Sequence, residues 1–354
     1  MSRFFSDKYQ ALTPYTPGEQ PRDPRYIKLN TNESPFPPSP KAQARAAEEL
    51  KKLQLYSDPT CAALTAQAAK TLGVGEENII FSNGSDEVLN FAFMAFCDKK
   101  CPAVFPDITY GFYKVFAGLN GVPYREVPLE PDFSIEVADY FFAKGTIFIA
   151  NPNAPTGLCL SLRQIEGLLR TNPDNVVVID EAYIDFGGES AIPLTKKYDN
   201  LLVVQTFSKS RSMAGARLGF AVGAKELIRD LNTIKYSVNP YNVNRMTMAA
   251  GLGALEDDDY FRANCRTIME NRAWTTEELN KLGFETLPSM TNFVFTKNPA
   301  VSGEELYLKL KARGILVRHF NKPRLTDYIR VTIGSADEMA AFVGATKEIL
   351  EDIQ

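Results

Sequence analysis

Between about residue 60 and residue 225 the chain alternates short, uninterrupted apolar runs with stretches of helical period. The runs are Ile79-Ile-Phe81, Ala103-Val-Phe105, Thr146-Ile-Phe-Ile-Ala150, Val176-Val-Val-Ile179, Leu201-Leu-Val-Val-Gln205 and Gly219-Phe-Ala-Val222. They are too short for helices and lack the apolar–polar alternation of a strand with one wet face. They predict strands covered on both sides. The helical stretches 86–97 and 161–171 supply crossovers between them. The pattern therefore predicts an α/β fold with a doubly wound, mostly parallel sheet.

The two ends of the chain read differently. The first forty residues carry Thr13-Pro-Tyr-Thr-Pro-Gly18 and Ser34-Pro-Phe-Pro-Pro-Ser-Pro40, which neither a helix nor a central strand tolerates. They predict an extended arm over the surface, followed by a helical pattern across 41–56. Beyond about residue 240 come a long helix over 258–282, a strand at 292–296, a helix at 302–313, strands near 315–318 and 328–333, and a last helix at 336–353. This mixture predicts a smaller α+β domain. The expected division is an arm (1–40) joining the small domain (246–354), with a large domain at 41–245. The acidic run Glu256-Asp-Asp-Asp259 precedes the long helix and reads as a solvated cap rather than a metal site.

Composition narrows the chemistry. Of 354 residues, 45% are hydrophobic and 23% charged, which suits a full-sized core. With 39 Lys and Arg against 43 Asp and Glu, the net charge of −4 argues against a strongly basic nucleic-acid binder. The five cysteines (61, 97, 101, 159 and 265) are odd in number and form no Cys-x-x-Cys pair, which suits reduced thiols in a cytoplasmic protein. Met1-Ser-Arg-Phe-Phe-Ser-Asp-Lys8 has charges where a signal peptide needs its apolar stretch, and the run at 91–97 is too short for a membrane span. A soluble protein with no membrane partner is expected. The single histidine, His319, leaves a Ser-His-Asp hydrolase or a multi-histidine zinc site almost nothing to work with, so no metal is expected. Proton transfers then fall to Lys, Tyr, Asp, Glu or a cofactor.

Three segments lie at the ends of predicted parallel strands, where open α/β sheets bind ligands. Ser82-Asn-Gly-Ser-Asp-Glu87 opens a helix and presents backbone N–H groups to an anion, although alone it equally makes an ordinary N-cap. Val178-Ile-Asp180-Glu-Ala-Tyr183 places a carboxylate just past a buried strand, where it stays charged only beside a cationic or hydrogen-bonding partner. Thr206-Phe-Ser208-Lys209 puts a lysine at a strand end with Arg217 eight residues on, a setting for a desolvated nucleophilic amine. Gly251-Leu-Gly253 has no preceding strand and no third glycine, so it supports no nucleotide site.

Together with Asn151-Pro-Asn-Ala-Pro-Thr-Gly157, these segments occur in one order and spacing. In that combination the chain resembles the aspartate-aminotransferase superfamily of pyridoxal-phosphate enzymes, and within it the members that use histidinol phosphate. The resemblance runs from Leu29-Asn-Thr-Asn-Glu-Ser-Pro35 to Ile329-Arg-Val-Thr-Ile-Gly334. It implies an aspartate-aminotransferase-like fold and pyridoxal 5'-phosphate covalently held on Lys209, which also moves the substrate's Cα proton. It implies that Asp180 pairs with the pyridinium nitrogen, that Tyr183 donates to the cofactor's phenolic oxygen, and that Tyr110 stacks on the ring. Gly84, Ser85, Ser208 and Arg217 are implied as phosphate ligands, with Asp86 counted among the cofactor-binding residues. Tyr56 is implied to reach the phosphate from the partner subunit of an obligate homodimer with a shared active site.

One position departs from the pattern. Where the superfamily commonly has an asparagine before Pro-Thr-Gly, this chain has Ala154, and Asn153 is expected to take over its contact with the phenolic oxygen. For the substrate, the resemblance points to Arg318 and Arg330, helped by Tyr15 and Asn32, with His319 at the pocket edge or surface. The expected reaction exchanges an amino group between L-histidinol phosphate and 2-oxoglutarate in histidine biosynthesis. Aromatic aminotransferase and threonine-phosphate decarboxylase are the alternatives on the same fold. A sugar-responsive binding module remains only if Lys209 carries no cofactor.

Overall fold

The structure, a computed structural model, describes residues 2–20 and 26–353. A short strand β1 (Ile27–Lys28) precedes the strands of the main sheet: β2 (Ile79–Ser82), β3 (Ala103–Pro106), β4 (Tyr124–Val127), β5 (Thr146–Ala150), β6 (Val177–Asp180), β7 (Leu201–Thr206) and β8 (Gly219–Gly223). Their order is β2-β8-β7-β6-β5-β3-β4, parallel throughout except for β8, which runs antiparallel to both neighbours. The sheet is mostly parallel and doubly wound, as the apolar runs predict.

Alternate residues of each run feed opposite faces. Ile147, Ile149, Val177, Ile179, Leu201 and Val203 enter one apolar core, while Phe148, Val178, Leu202 and Val204 enter the other. Helices cover both faces: α1 (Pro40–Glu49), α2 (Ala62–Leu72), α3 (Ser85–Phe96), α4 (Phe112–Asn120), α5 (Leu162–Thr171), α6 (Lys225–Val238) and α7 (Arg245–Leu255). The last of these packs on α1 and α2. Ser39 caps α1 through its side chain, and Ser161 with Gln164 forms a capping box at α5.

The second layer system begins with the long helix α8 (Asp258–Lys281) and continues through β9 (Glu285–Thr286), β10 (Phe293–Lys297), α9 (Gly303–Ala312), β11 (Ile315–Leu316), β12 (Arg318–His319), β13 (Tyr328–Thr332) and α10 (Ala336–Glu351). An antiparallel sheet of order β12-β13-β10-β9 packs with α8, α9 and α10 around its own core. The N-terminal arm joins this region, because β1 pairs with β11 in parallel and Thr332 N–H donates to Leu29 O at 2.9 Å. The acidic run before α8 is used in surface ion pairs, Arg45 with Glu256 and Arg262 with Asp258. Among the described residues, no helix is long and apolar enough to cross a membrane.

Phe148 shows what the two-sided core requires of a strand residue. It is fully buried and stacks on Phe93 with ring centroids 4.2 Å apart. Phe148→Ala is expected to destabilise the protein by about 3–5 kcal/mol through lost burial and a residual cavity. Urea unfolding followed by circular dichroism checks it, and an unchanged midpoint contradicts it.

Candidate active site

The carboxyl ends of β5, β6 and β7 and the start of α3 surround a cavity of about 330 Å³. Its wall includes Ser85, Asp86, Tyr110, Asp180, Tyr183, Ser208, Lys209 and Arg217, so the structure gathers most of the residues singled out in the sequence into one place. Lys209 leaves the end of β7, and its Nζ lies 3.3 Å from Thr31 O and 5.9 Å from the centre of the Tyr183 ring.

Asp180 ends β6 and is 4% exposed. Tyr113 donates to its Oδ2 at 3.0 Å, whereas Oδ1 has no hydrogen-bond partner among the described residues. Burial pushes this carboxyl up to about 7, against the lowering effect of the Tyr113 bond. Tyr113 was not legible as a site residue. It sits three positions after Tyr110 on the buried face of α4, where a phenol looks like any core aromatic. Burial and the neighbouring Asp180 push its own phenol well above the ordinary range, so it remains a proton donor to that carboxylate.

The start of α3 forms a second group. Gly84 has φ +80, a conformation that favours glycine, and a Cβ there would meet Arg217 Nη2 at 2.5 Å and push the guanidinium aside. Arg217 itself adopts φ +56, unusual for a side chain of this size, and pairs with Asp86 at 2.9 Å. The other Asp86 oxygen accepts from Tyr110 at 2.6 Å, which fixes the Tyr110 ring in the cavity wall. Ser208 is buried, and its Oγ accepts from Thr206 at 3.0 Å.

Other expected residues fall outside the wall. Asn153 does not reach the cavity. Its Nδ2 donates to Ile108 O at 3.0 Å and Thr156 Oγ1 at 3.2 Å, and its Oδ1 accepts from Thr109 at 2.8 Å, so the whole amide holds the turn together. Ala154, the next residue, lines the cavity instead. Asn32, 1% exposed, donates through Nδ2 to Tyr183 Oη at 2.9 Å. Tyr56 is 80% exposed and stacks on Tyr241 at 4.7 Å.

Arg318 and Arg330 face each other across the β12–β13 pair, and both guanidinium carbons lie near the Phe320 ring, at 5.5 and 5.6 Å. Directly opposed like charges repel. Arg330 is half-buried, its Nη2 donates to Asn30 O at 3.1 Å, its buried Nε has no partner among the described residues, and desolvation pushes its guanidinium below the ordinary value. Tyr15 stacks on Phe112 at 4.3 Å, bringing the arm beside Tyr110. His319 bonds to Thr326 O at 2.9 Å, outside the cavity wall.

Asp180, whose Oδ1 has no partner among the described residues, lines one cavity with Lys209, the N-terminus of α3 and Arg217, which suits a molecule with both a cationic group and a phosphate. Pyridoxal phosphate has that charge distribution, with its ring nitrogen protonated. The comparisons agree. The family model for aminotransferase class I and II matches residues 24–345. A histidinol-phosphate aminotransferase of Brachyspira hyodysenteriae is 50% identical, covering 99% of this chain and 100% of its own. One from Clostridium botulinum is 46% identical, with both chains covered in full. Among solved structures, a Sinorhizobium meliloti histidinol-phosphate aminotransferase in complex with pyridoxal-5'-phosphate has a TM-score of 0.89 at 22% identity, covering 100% of this chain and 99% of that one. The histidinol-phosphate aminotransferase from Clostridium acetobutylicum has a TM-score of 0.85 at 25% identity, covering 92% and 99%. Sequence matched from end to end and a shared fold lead to one conclusion: the chain belongs to the class I and II aminotransferase family.

Proposed function

We propose that this aminotransferase transfers the amino group of L-histidinol phosphate to 2-oxoglutarate, a step of histidine biosynthesis in the cytoplasm, with pyridoxal 5'-phosphate attached to Lys209. The observation that carries the choice of donor is the opposed pair Arg318 and Arg330 around Phe320. A dianionic phosphate between two like charges relieves their repulsion and supplies acceptors for their N–H groups. Tyr15 supplies a further hydroxyl from the arm.

When bound, the cofactor supplies an aldehyde carbon that accepts the amino group and a ring that spreads negative charge from the donor's Cα. Asp180 would hold the ring nitrogen in its protonated form, because a buried carboxylate and a buried cation each remove the other's desolvation cost. Tyr113 orients that carboxylate through Oδ2. The α3 N-terminus at Gly84 and Ser85, with Ser208 and Arg217, binds the phosphate. Tyr110 would cover one ring face, and Tyr183 would donate to the phenolic oxygen. Lys209 Nζ removes and returns the proton at the donor's Cα.

Leu50, Leu53 and Leu55 are each more than half exposed and lead to Tyr56. This apolar run supports a homodimer in which Tyr56 completes the partner's phosphate site. The donor assignment is tested with holoenzyme, 2-oxoglutarate and a panel of histidinol phosphate, phenylalanine, tyrosine and threonine phosphate. Glutamate formation is expected to be most efficient with histidinol phosphate. A preference for phenylalanine or tyrosine makes the protein an aromatic aminotransferase, and CO2 release from threonine phosphate makes it a decarboxylase.

Three outcomes follow from these roles. Lys209→Ala is expected to keep the fold and lose nearly all turnover, and more than a small residual fraction contradicts the assignment. For Asp180, the folded-state value lies above the ordinary 3.8, so its stability contribution is complete below about pH 4 and is lost as pH rises through about 7. Cofactor-stripped Asp180→Asn is therefore expected to be more stable than stripped wild type at pH 8, by on the order of a few kcal/mol, while turnover collapses. Thermal unfolding and single-turnover rates check both halves. Arg330→Ala is expected to lower kcat/KM by about one to two decades more for histidinol phosphate than for phenylalanine. Equal losses contradict the phosphate clamp.

A further inference from the structure

The hydrogen-bond directions behind Tyr183 can be fixed one by one, starting from the arm. The backbone N–H of Asn32 donates to Thr332 Oγ1 at 2.9 Å, so that hydroxyl is already an acceptor. Its single proton goes to Asn32 Oδ1 at 3.0 Å. Thr332 is 2% exposed, so water does not compete for that proton. An amide's orientation is read from its network. With Oδ1 turned to Thr332, Nδ2 faces Tyr183 and donates to its Oη at 2.9 Å. Tyr183 is the acceptor in that bond, which leaves its own proton for the cavity whose wall it forms.

The backbone is arranged around the same bonds. Asn32 has φ +56, a left-handed conformation that asparagine tolerates better than most residues. Its carbonyl accepts from Asn292 Nδ2 at 3.1 Å, and Phe293 meets the Tyr183 ring edge-on at 5.2 Å. Asn32 is thus held by residues of the small sheet while its amide reaches a residue at the end of β6.

We propose that Asn32 is a positioning residue that makes Tyr183 a one-way hydrogen-bond donor into the cavity, and that it offsets the side-chain donor missing at Ala154. The inference rests on the reading that Tyr183 faces the phenolic oxygen of the cofactor. Donation onto the Tyr183 oxygen polarises its O–H bond and strengthens the bond that group gives. Asn153 cannot fill the gap, because its amide is fully engaged in the turn. The amide lost at Ala154 is replaced indirectly, through a phenol whose proton has one direction left to it.

The test reads the pH midpoint at which the visible absorption band of the pyridoxal-phosphate-loaded protein changes, together with its cofactor dissociation constant. A donor to the phenolic oxygen stabilises the deprotonated form and lowers that midpoint. Asn32→Gly removes the amide while accepting a positive φ without strain. It is expected to raise the midpoint by about half to one pH unit and to weaken cofactor binding several-fold. Asn32→Asp keeps the shape but accepts where asparagine donates, so it is expected to raise the midpoint at least as far. Adding Ala154→Asn to Asn32→Gly restores a direct donor and is expected to bring the midpoint back toward wild type. The inference is overturned if Tyr183→Phe raises the midpoint while Asn32→Gly and Asn32→Asp leave it at the wild-type value. If Tyr183→Phe itself leaves it unchanged, the assignment of Tyr183 fails and the inference fails with it.

Discussion

A carboxylate at the centre of a fully covered sheet constrains everything around it. Asp180 ends a strand whose other residues are apolar and almost wholly buried, and one of its oxygens has no partner among the described residues. A lone negative charge in such a place is expensive, and proteins normally neutralise or pair it. Here the chain does part of this itself, through the phenol of Tyr113. Asp180 shares its cavity wall with Lys209. A site that holds a cationic ring nitrogen needs such a residue, and the cost appears as lowered stability of the protein without its cofactor.

The same logic recurs at the other end of the site. Arg318 and Arg330 are placed in register on adjacent strands, where their charges oppose each other. Arg330 is half-buried, and its Nε has no partner among the described residues. Asp180 in the cavity wall and the arginine pair outside it therefore both hold charge that a group of opposite sign stabilises. The N-terminal arm ties the ends together: Thr31 O meets Lys209, Asn32 meets Tyr183, Asn30 O accepts from Arg330, and Tyr15 leans on the aromatic wall.

Much of this was legible in the chain because of its physical cause. Strands buried on both faces must be apolar throughout, so β5, β6 and β7 announce themselves. β4 did not, since its first residues are exposed at the sheet edge and carry no apolar pattern. Lys209, Asp180 and Arg217 stand out at or after the ends of apolar strands, the role of Tyr183 comes only with the family resemblance, and the fold brings all four into one cavity. Asn153 shows the limit of arguing from adjacency. Its neighbour Ala154 lines the cavity, whereas the Asn153 amide one position away is bonded to Ile108, Thr109 and Thr156. Tyr113 and the role of the Asn32 amide depend on three-dimensional hydrogen-bond direction, which leaves no trace in composition or period.

The central claim is that Asp180 is a carboxylate kept for a cationic partner. Isotope-edited infrared or 13C NMR spectroscopy of the carboxyl group, titrated with and without pyridoxal phosphate, tests it most directly. The account predicts a midpoint near 7 for the cofactor-free protein. It also predicts a carboxylate that stays ionised well below that pH once the cofactor is bound. An Asp180 that is ionised across the neutral range in both states, with no shift on binding, would contradict it.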